Sequence, residues 1–83
     1  MGNREGYRWS RGGWQPSPSQ RRILDGVAAG EGNAALARRL GLSTETVRWH
    51  VRQLIAETDS IERAGLARWW SDRQRAVSFA LAA

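Results

Sequence analysis

The sequence predicts an all-α fold, a compact helix-turn-helix bundle of about four helices preceded by a flexible basic arm. Apolar residues recur at helical spacing in successive short segments, and glycines and capping residues separate those segments. The chain has 83 residues and no cysteine, which suits one small domain with a modest core and no disulfide. We expect the arm at residues 1–15, the domain at residues 16–72 and a tail at residues 73–83.

The charge balance favours a nucleic-acid partner. The 13 basic residues, all arginine, outnumber the 8 acidic ones, and the net charge is +5. Arginine makes bidentate contacts with phosphate and guanine, although many small basic proteins bind other partners. One histidine, no cysteine and scattered acids form no metal cluster, triad or phosphate loop, so we expect neither an enzyme nor a cofactor. With no signal peptide or membrane span in the sequence, a cytoplasmic, nucleoid-associated location is the default expectation.

The N-terminal arm shows neither a helical nor a strand period. Glycine and arginine alternate there with aromatic residues, which is typical of a flexible basic segment. Trp9 and Trp14 can either pack on the domain or contact nucleic acid, and we favour packing.

The first helix is predicted to begin at a capping box. Ser17 precedes Pro18, and Gln20 lies three residues after Ser17, so the two polar side chains can bond each other's backbone N–H. Gly30 is well placed for a left-handed C-cap. The apolar residues between these ends recur at helical spacing and are Ile23, Leu24, Val27 and Ala28.

A second helix and a tight turn are predicted next. Asn33 can cap this helix, Gly41 stops it, and Ser43 caps the helix that follows. Two short helices joined by residues 41–43 fit helix-turn-helix geometry. The residues with the spacing to pack the two crossing helices are Leu36, Ala37, Leu40, Leu42 and Val47.

The third helix, at residues 44–57, combines a buried stripe with an unusual outer face. The stripe contains Val47, Val51, Leu54 and Ile55. At ~100° per residue, Trp49 lies ~200° from Val47, in the middle of the opposite face. Arg48 and Arg52 flank this tryptophan, and Glu45 and Gln53 lie near it. Such a face is hard to explain in a helix that only covers a core, but it is natural in a helix that enters a groove.

The C-terminal region leaves two structures open. Residues 58–60 break or bend the third helix, and Asp59 with Glu62 offers another capping box. A fourth helix is predicted next, and its apolar residues are Ile61, Leu66 and Trp69 or Trp70. We expect one of the two tryptophan rings to pack on the core and the other to lie at an interface. Residues 75–83 alternate large and small side chains, which fits a strand, but they can also extend the helix.

Three stretches match a family pattern in order, and the spacing between them needs no insertion or deletion. The family stretch Val-Ala-x-Gly is matched by residues 27–30. Asn-x-x-Ile-Ala-x-x-Leu is matched by residues 33–40, with Leu36 in place of isoleucine, and Ser-x-x-Thr-Val-Lys-x-His by residues 43–50, with Arg48 in place of lysine. In these motifs the chain resembles the LuxR-type (GerE-like) helix-turn-helix DNA-binding domain, over about residues 17–69. Gly65 and residues 57–60 depart from the family pattern, next to the helix through which the family forms dimers.

The resemblance implies which residues contact DNA. Base contacts are implied for Arg48, Trp49 and Arg52, and the indole of Trp49 can meet a thymine methyl group. Contacts with the DNA backbone are implied for Asn33 and Thr46. We expect further backbone contacts from Ser43, Thr44, His50 and Arg38, with a structural role as the alternative for His50 and a role in solubility as the alternative for Arg38. A homodimer through the fourth helix would use Leu66, Trp69 and Trp70.

We therefore interpret the chain as a sequence-specific transcriptional regulator that binds double-stranded DNA and reads the major groove with the helix at residues 44–57. We expect no membrane partner and no small-molecule substrate. Two alternatives stay open. A winged helix would form a two-stranded wing from residues 64–81. A protein-interaction adaptor would use the same scaffold to bind RNA polymerase or another regulator, and an exposed Trp49 would also suit a protein hot spot.

Overall fold

The computed structural model describes residues 14–82, and helices joined by short turns make up this part of the chain. Its four helices are α1 (Pro18–Ala28), α2 (Asn33–Leu40), α3 (Thr44–Glu57) and α4 (Arg63–Ala82). The predicted all-α fold class is confirmed. The winged-helix alternative is not supported, because the described residues contain no strand. Most of the predicted basic arm, including Trp9, lies outside the described residues.

Local hydrogen bonds set the beginning of α1. The Ser17 hydroxyl oxygen accepts from the Gln20 N–H at 3.1 Å, and the Gln20 side-chain oxygen accepts from the Ser17 N–H at 2.9 Å. Pro18 lies in the first turn, where its missing N–H leaves no helical hydrogen bond unmade. The predicted capping box is confirmed.

The first three helices end in the same way, at a residue with positive φ. This residue is Gly30 after α1, Gly41 after α2 and Asp59 after α3, with φ of 86°, 71° and 57°. In each case the following N–H bonds to a carbonyl five residues earlier, at 2.9–3.0 Å. The predicted stops at Gly30 and Gly41 are confirmed. The predicted capping box of Asp59 with Glu62 is wrong, because Asp59 closes α3 instead of opening α4.

The N-cap of α2 is Gly32, and the prediction that Asn33 caps this helix is wrong. Gly32 has an extended backbone with φ −82° and ψ 171°, and Asn33 is the first helical residue. The Asn33 side-chain oxygen accepts a hydrogen bond from the Arg63 guanidinium at 2.6 Å. A contact across 30 residues of sequence thus takes the place of the local one.

The core lies where α1, α3 and α4 meet, and α2 packs on α3. Its buried residues are Ile23, Leu24, Val27, Leu36, Ala37, Val47, Val51, Leu54, Leu66 and Trp70. Three of them form the stripe predicted for α3, and Ile55 adds a half-buried fourth. Gly26 of α1 lies so close to α2 that a Cβ there would be 2.3 Å from Leu36 Cδ2. The absence of a side chain at this position lets the two helices approach.

Several apolar residues lie in environments other than those predicted. Ile61 is 93% exposed and Leu42 is 38% exposed, so neither belongs to the core. Ile61 lies outside α4 because the ending of α3 uses residues 58–60 and the next helix begins only at Arg63. Leu66, which the resemblance implies for a homodimer contact, is fully buried in the core of the single chain.

Both adjacent tryptophans of α4 pack on other parts of the domain. Trp70 is 3% exposed, and its indole N–H donates to the Asp25 carboxylate of α1 at 2.8 Å. Trp69 is half-buried, and its ring centroid lies 6.4 Å from that of Trp14. The expectation that one of the adjacent rings enters the core is confirmed for Trp70, and so is the packing of Trp14 on the domain. Residues 75–82, for which helix and strand were both considered, continue α4.

Candidate nucleic-acid interface

The turn between α2 and α3 groups three predicted DNA-backbone residues at one helix end. The Ser43 hydroxyl accepts from the Thr46 N–H at 3.0 Å and donates to the Thr46 hydroxyl oxygen at 2.8 Å. Thr44, the first residue of α3, is exposed. The first turn of a helix carries backbone N–H groups without helical partners and a partial positive charge, both of which favour a phosphate.

The three residues predicted to contact bases share the exposed face of α3. Trp49 is 51% exposed, the Arg48 side chain is 46% exposed, and Arg52 is exposed as well. The opposite face carries Val47 and packs on the other three helices, so the outer face cannot turn inward without disrupting the core. An α-helix is ~10–12 Å across and the major groove of B-DNA is ~12 Å wide, so a helix exposed in this way can enter the groove.

The same face holds an ion pair that sequence reasoning missed. The Arg48 guanidinium donates to the Glu45 carboxylate, and the Glu45 side chain is 76% exposed. From the sequence, Glu45 is expected near Trp49 but has no assigned role. The spacing of Glu45 and Arg48 could have indicated the pair, because residues three apart on a helix are neighbours on its surface.

His50 lies at the flank of the exposed face. Its ring is half-buried and meets the Trp49 ring edge to face, with centroids 5.0 Å apart. The Nδ1 atom is buried and has no hydrogen-bond partner among the described residues. A proton on this nitrogen would be an unsatisfied buried donor, which costs about 1–3 kcal/mol. A proton carried on Nε2 can instead be donated to a phosphate.

Helix α2 brings two further predicted backbone residues beside α3. Arg38 is exposed. Because the Asn33 side-chain oxygen accepts from Arg63, its NH₂ group is the part that can donate to a phosphate. Arg63 also donates to the Glu31 carbonyl oxygen at 2.6 Å and so connects α4 with the beginning of α2. Sequence reasoning missed this role of Arg63, since no local pattern indicates it.

A second ion pair distinguishes the two adjacent arginines of α2. Arg39 donates to both carboxylate oxygens of Glu31, at 2.6 and 3.1 Å. This hydrogen bond lowers the pKa of Glu31 and raises the pKa of Arg39. Arg39 thus contacts the loop before α2, and Arg38 is the arginine of this pair that suits a contact with the DNA backbone.

The exposed face of α3 offers guanidinium donors, a carboxylate acceptor and an indole ring. The guanidinium groups suit phosphate oxygens and base edges, and the carboxylate and the indole suit base edges. Within residues 14–82, no group of three His, Asp or Glu side chains is arranged to hold a metal ion. No described helix has the length and apolar character that a membrane span requires.

Comparison with known proteins agrees with this geometry. The family model described as "Bacterial regulatory proteins, luxR family" (GerE) matches residues 17–66, from the N-cap of α1 to the first turn of α4. No curated protein and no solved structure matches the chain significantly. The family match covers more than half of the chain and includes the whole helix-turn-helix. The chain therefore belongs to the luxR family of bacterial regulatory proteins, a family of DNA-binding transcription regulators.

Proposed function

We propose that this protein recognises specific sequences in double-stranded DNA by inserting α3 into the major groove. The observation that supports this most directly is the exposure of Arg48, Trp49 and Arg52 on one helix face, opposite a fully packed stripe. Each arginine can pair with O6 and N7 of a guanine, and the indole can contact a thymine methyl group. Because the residues proposed to contact bases lie opposite the packed stripe, the fold does not depend on them.

The same placement of α3 brings the predicted backbone residues near the phosphates. Ser43, Thr44 and Thr46 lie at the N-terminal end of α3, where backbone N–H groups also favour an anion. Asn33 and Arg38 of α2 and His50 of α3 add donors on its flanks. Contacts of this kind set orientation on the duplex without carrying sequence information.

The test is a selection of bound duplexes from a random pool, followed by affinity measurements on the selected sequence. We expect Arg48→Ala and Arg52→Ala each to lower specific affinity by about 1–3 kcal/mol and to relax the preference at particular base pairs. Arg38→Ala, the matched control on α2, should weaken all sequences equally or have no effect. If folded Arg48→Ala and Arg52→Ala proteins kept both affinity and preference, α3 would not read the DNA, and the protein-interaction alternative would be favoured.

The net charge of +5 gives an independent check of the partner. Affinity for non-specific duplex should fall with salt, with a logarithmic slope of about −0.9 per phosphate neutralised. An affinity that does not change between low and physiological salt would argue against DNA. Deletion of residues 1–13, which contain three arginines, should flatten the slope without changing the preferred sequence.

The family's pairing through its fourth helix supports a weak homodimer. Leu66 and Trp70 belong to the core of one chain, so among the residues implied for pairing only Trp69 remains partly accessible. Further along α4, Phe79 is 77% exposed and Leu81 is 83% exposed. Two copies should bind a duplex with two half-sites about one helical turn apart. Sedimentation that finds one chain on the optimal duplex at saturation would contradict this.

A further inference from the structure

An acidic side chain on the proposed DNA-reading face needs an explanation. Glu45 lies in the first turn of α3, the end of a recognition helix that approaches the bases most closely. Its side chain is 76% exposed, so no burial or core contact accounts for it. A carboxylate in this place repels the phosphates on both sides of the groove, which weakens binding to every sequence.

The structure shows what this carboxylate does in the free protein. It accepts a hydrogen bond from the guanidinium of Arg48, three residues later on the same face. The contact places the guanidinium and the carboxylate side by side at the surface. The unit formed in this way presents N–H donors followed by a carboxylate acceptor.

We propose that Glu45 and Arg48 read one G·C base pair as a unit, an inference that rests on the proposed function. In this arrangement Arg48 donates to the guanine and Glu45 accepts from the amino group of the paired cytosine. Along its major-groove edge a G·C pair presents two acceptors, guanine N7 and O6, and then a donor, cytosine N4. The donors of Arg48 and the acceptor of Glu45 match that order.

The same unit rejects the other base pairs. An A·T pair presents an acceptor, a donor and an acceptor, so the thymine O4 would face the carboxylate and the adenine amino group would face the guanidinium. A reversed C·G pair places its donor against Arg48. Each mismatch leaves like groups facing each other, so Glu45 contributes to specificity mainly by excluding the wrong pairs.

An ordinary surface ion pair on the same protein offers a matched control. Asp72 and Arg75 of α4 are also three residues apart and exposed, with a 3.0 Å contact, but they lie on a different helix from the reading face. Asp72→Asn and Glu45→Gln each remove one negative charge and one ion pair. Only Glu45→Gln changes the reading face, where it replaces one carboxylate oxygen with an NH₂ donor.

The experiment uses the full chain and the duplex that it selects from a random pool. Affinities of the wild type, Glu45→Gln and Asp72→Asn are measured on this duplex and on its single-base-pair variants. We expect Glu45→Gln to bind the mismatched duplexes more tightly than the wild type does. Its preference for G·C at one position should fall about tenfold, while Asp72→Asn keeps the full preference.

Arg48→Ala and the double variant identify the base pair involved. Arg48→Ala should relax the same position, and adding Glu45→Gln should cause little further loss, because the two residues act together. Unchanged discrimination in Glu45→Gln, with position-specific loss in Arg48→Ala, would overturn the unit and leave the proposed function intact. A wild-type chain that selects no sequence at all would overturn both. Far-UV circular dichroism of each variant verifies that α3 is still folded.

Discussion

Helices α3 and α4 place similar sequence features in opposite environments. Both carry tryptophan next to arginine, as Arg48-Trp49 in α3 and Arg68-Trp69-Trp70 in α4. Trp49 is 51% exposed, whereas Trp70 is 3% exposed. The difference arises from the neighbours of each helix, since α3 turns a separate aliphatic stripe to the core and α4 uses its aromatic residue for that purpose.

The proposed DNA-reading residues and the residues that stabilise the fold lie on different helix faces of one small domain. The outer face of α3, which we propose to contact DNA, has no role in the core. The inner face of α4 carries Trp70 and Leu66 and holds α1 and α2 through polar contacts with Asp25 and Asn33. Substitutions on the two faces should therefore affect different measurements.

The largest expected effect is on stability and comes from Trp70→Ala. It should lower the free energy of unfolding by about 3–5 kcal/mol, because a large buried ring is lost and a cavity remains. Trp49→Ala should change it by no more than about 0.5 kcal/mol, since that ring is on the surface. Urea unfolding followed by circular dichroism measures both free energies. Equal losses of stability in the two variants would contradict the different roles of Trp70 and Trp49.

Trp49→Ala should instead lower the affinity for the selected DNA duplex.

Trp70→Phe tests how much the hydrogen bond of Trp70 contributes to stability. It keeps most of the ring and removes the hydrogen bond to Asp25, so we expect a loss of about 1 kcal/mol in stability. Its preferred DNA sequence should not change.

An intermediate effect is expected from Arg63→Met, which removes the polar connection between α4 and the start of α2. Arg63 donates to Asn33 and to the Glu31 carbonyl, both at 2.6 Å, in a partly buried position. We expect the free energy of unfolding to fall by about 1–3 kcal/mol. Arg68→Met, exposed on the same helix, is the control and should change it by less than about 0.5 kcal/mol. Similar values for the two variants would show that the connection contributes nothing.

The smallest expected effect on stability is at Asp59, in the turn between α3 and α4. Asp59 has a φ of 57°, a conformation that glycine adopts without steric cost. Asp59→Gly and Asp59→Ala remove the same carboxylate, so their difference isolates the backbone. The glycine variant should be more stable than the alanine variant by about 1 kcal/mol in urea unfolding. Alanine equal to or better than glycine would contradict the left-handed conformation.

Sequence reasoning succeeded where interactions are local. The capping box at Ser17, the glycine stops at Gly30 and Gly41 and the buried stripe of α3 all depend on residues a few positions apart. It also placed the exposed arginines and Trp49 on one face, because helical periodicity alone requires this once the stripe is buried. It failed for Ile61 and Asp59, where the way in which α3 ends moved the start of α4 by several residues.

The amino-acid sequence by itself determined the four-helix order, the family, and which face of α3 is exposed. Only the tertiary structure decided that Trp70 rather than Trp69 enters the core and that Arg63 holds Asn33. The physical reason is range. Caps and periodicity act within a turn or two, whereas the contacts of Trp70 with Asp25 and of Arg63 with Asn33 join residues 45 and 30 positions apart. Such contacts exist only after the helices have packed, and no local pattern encodes them.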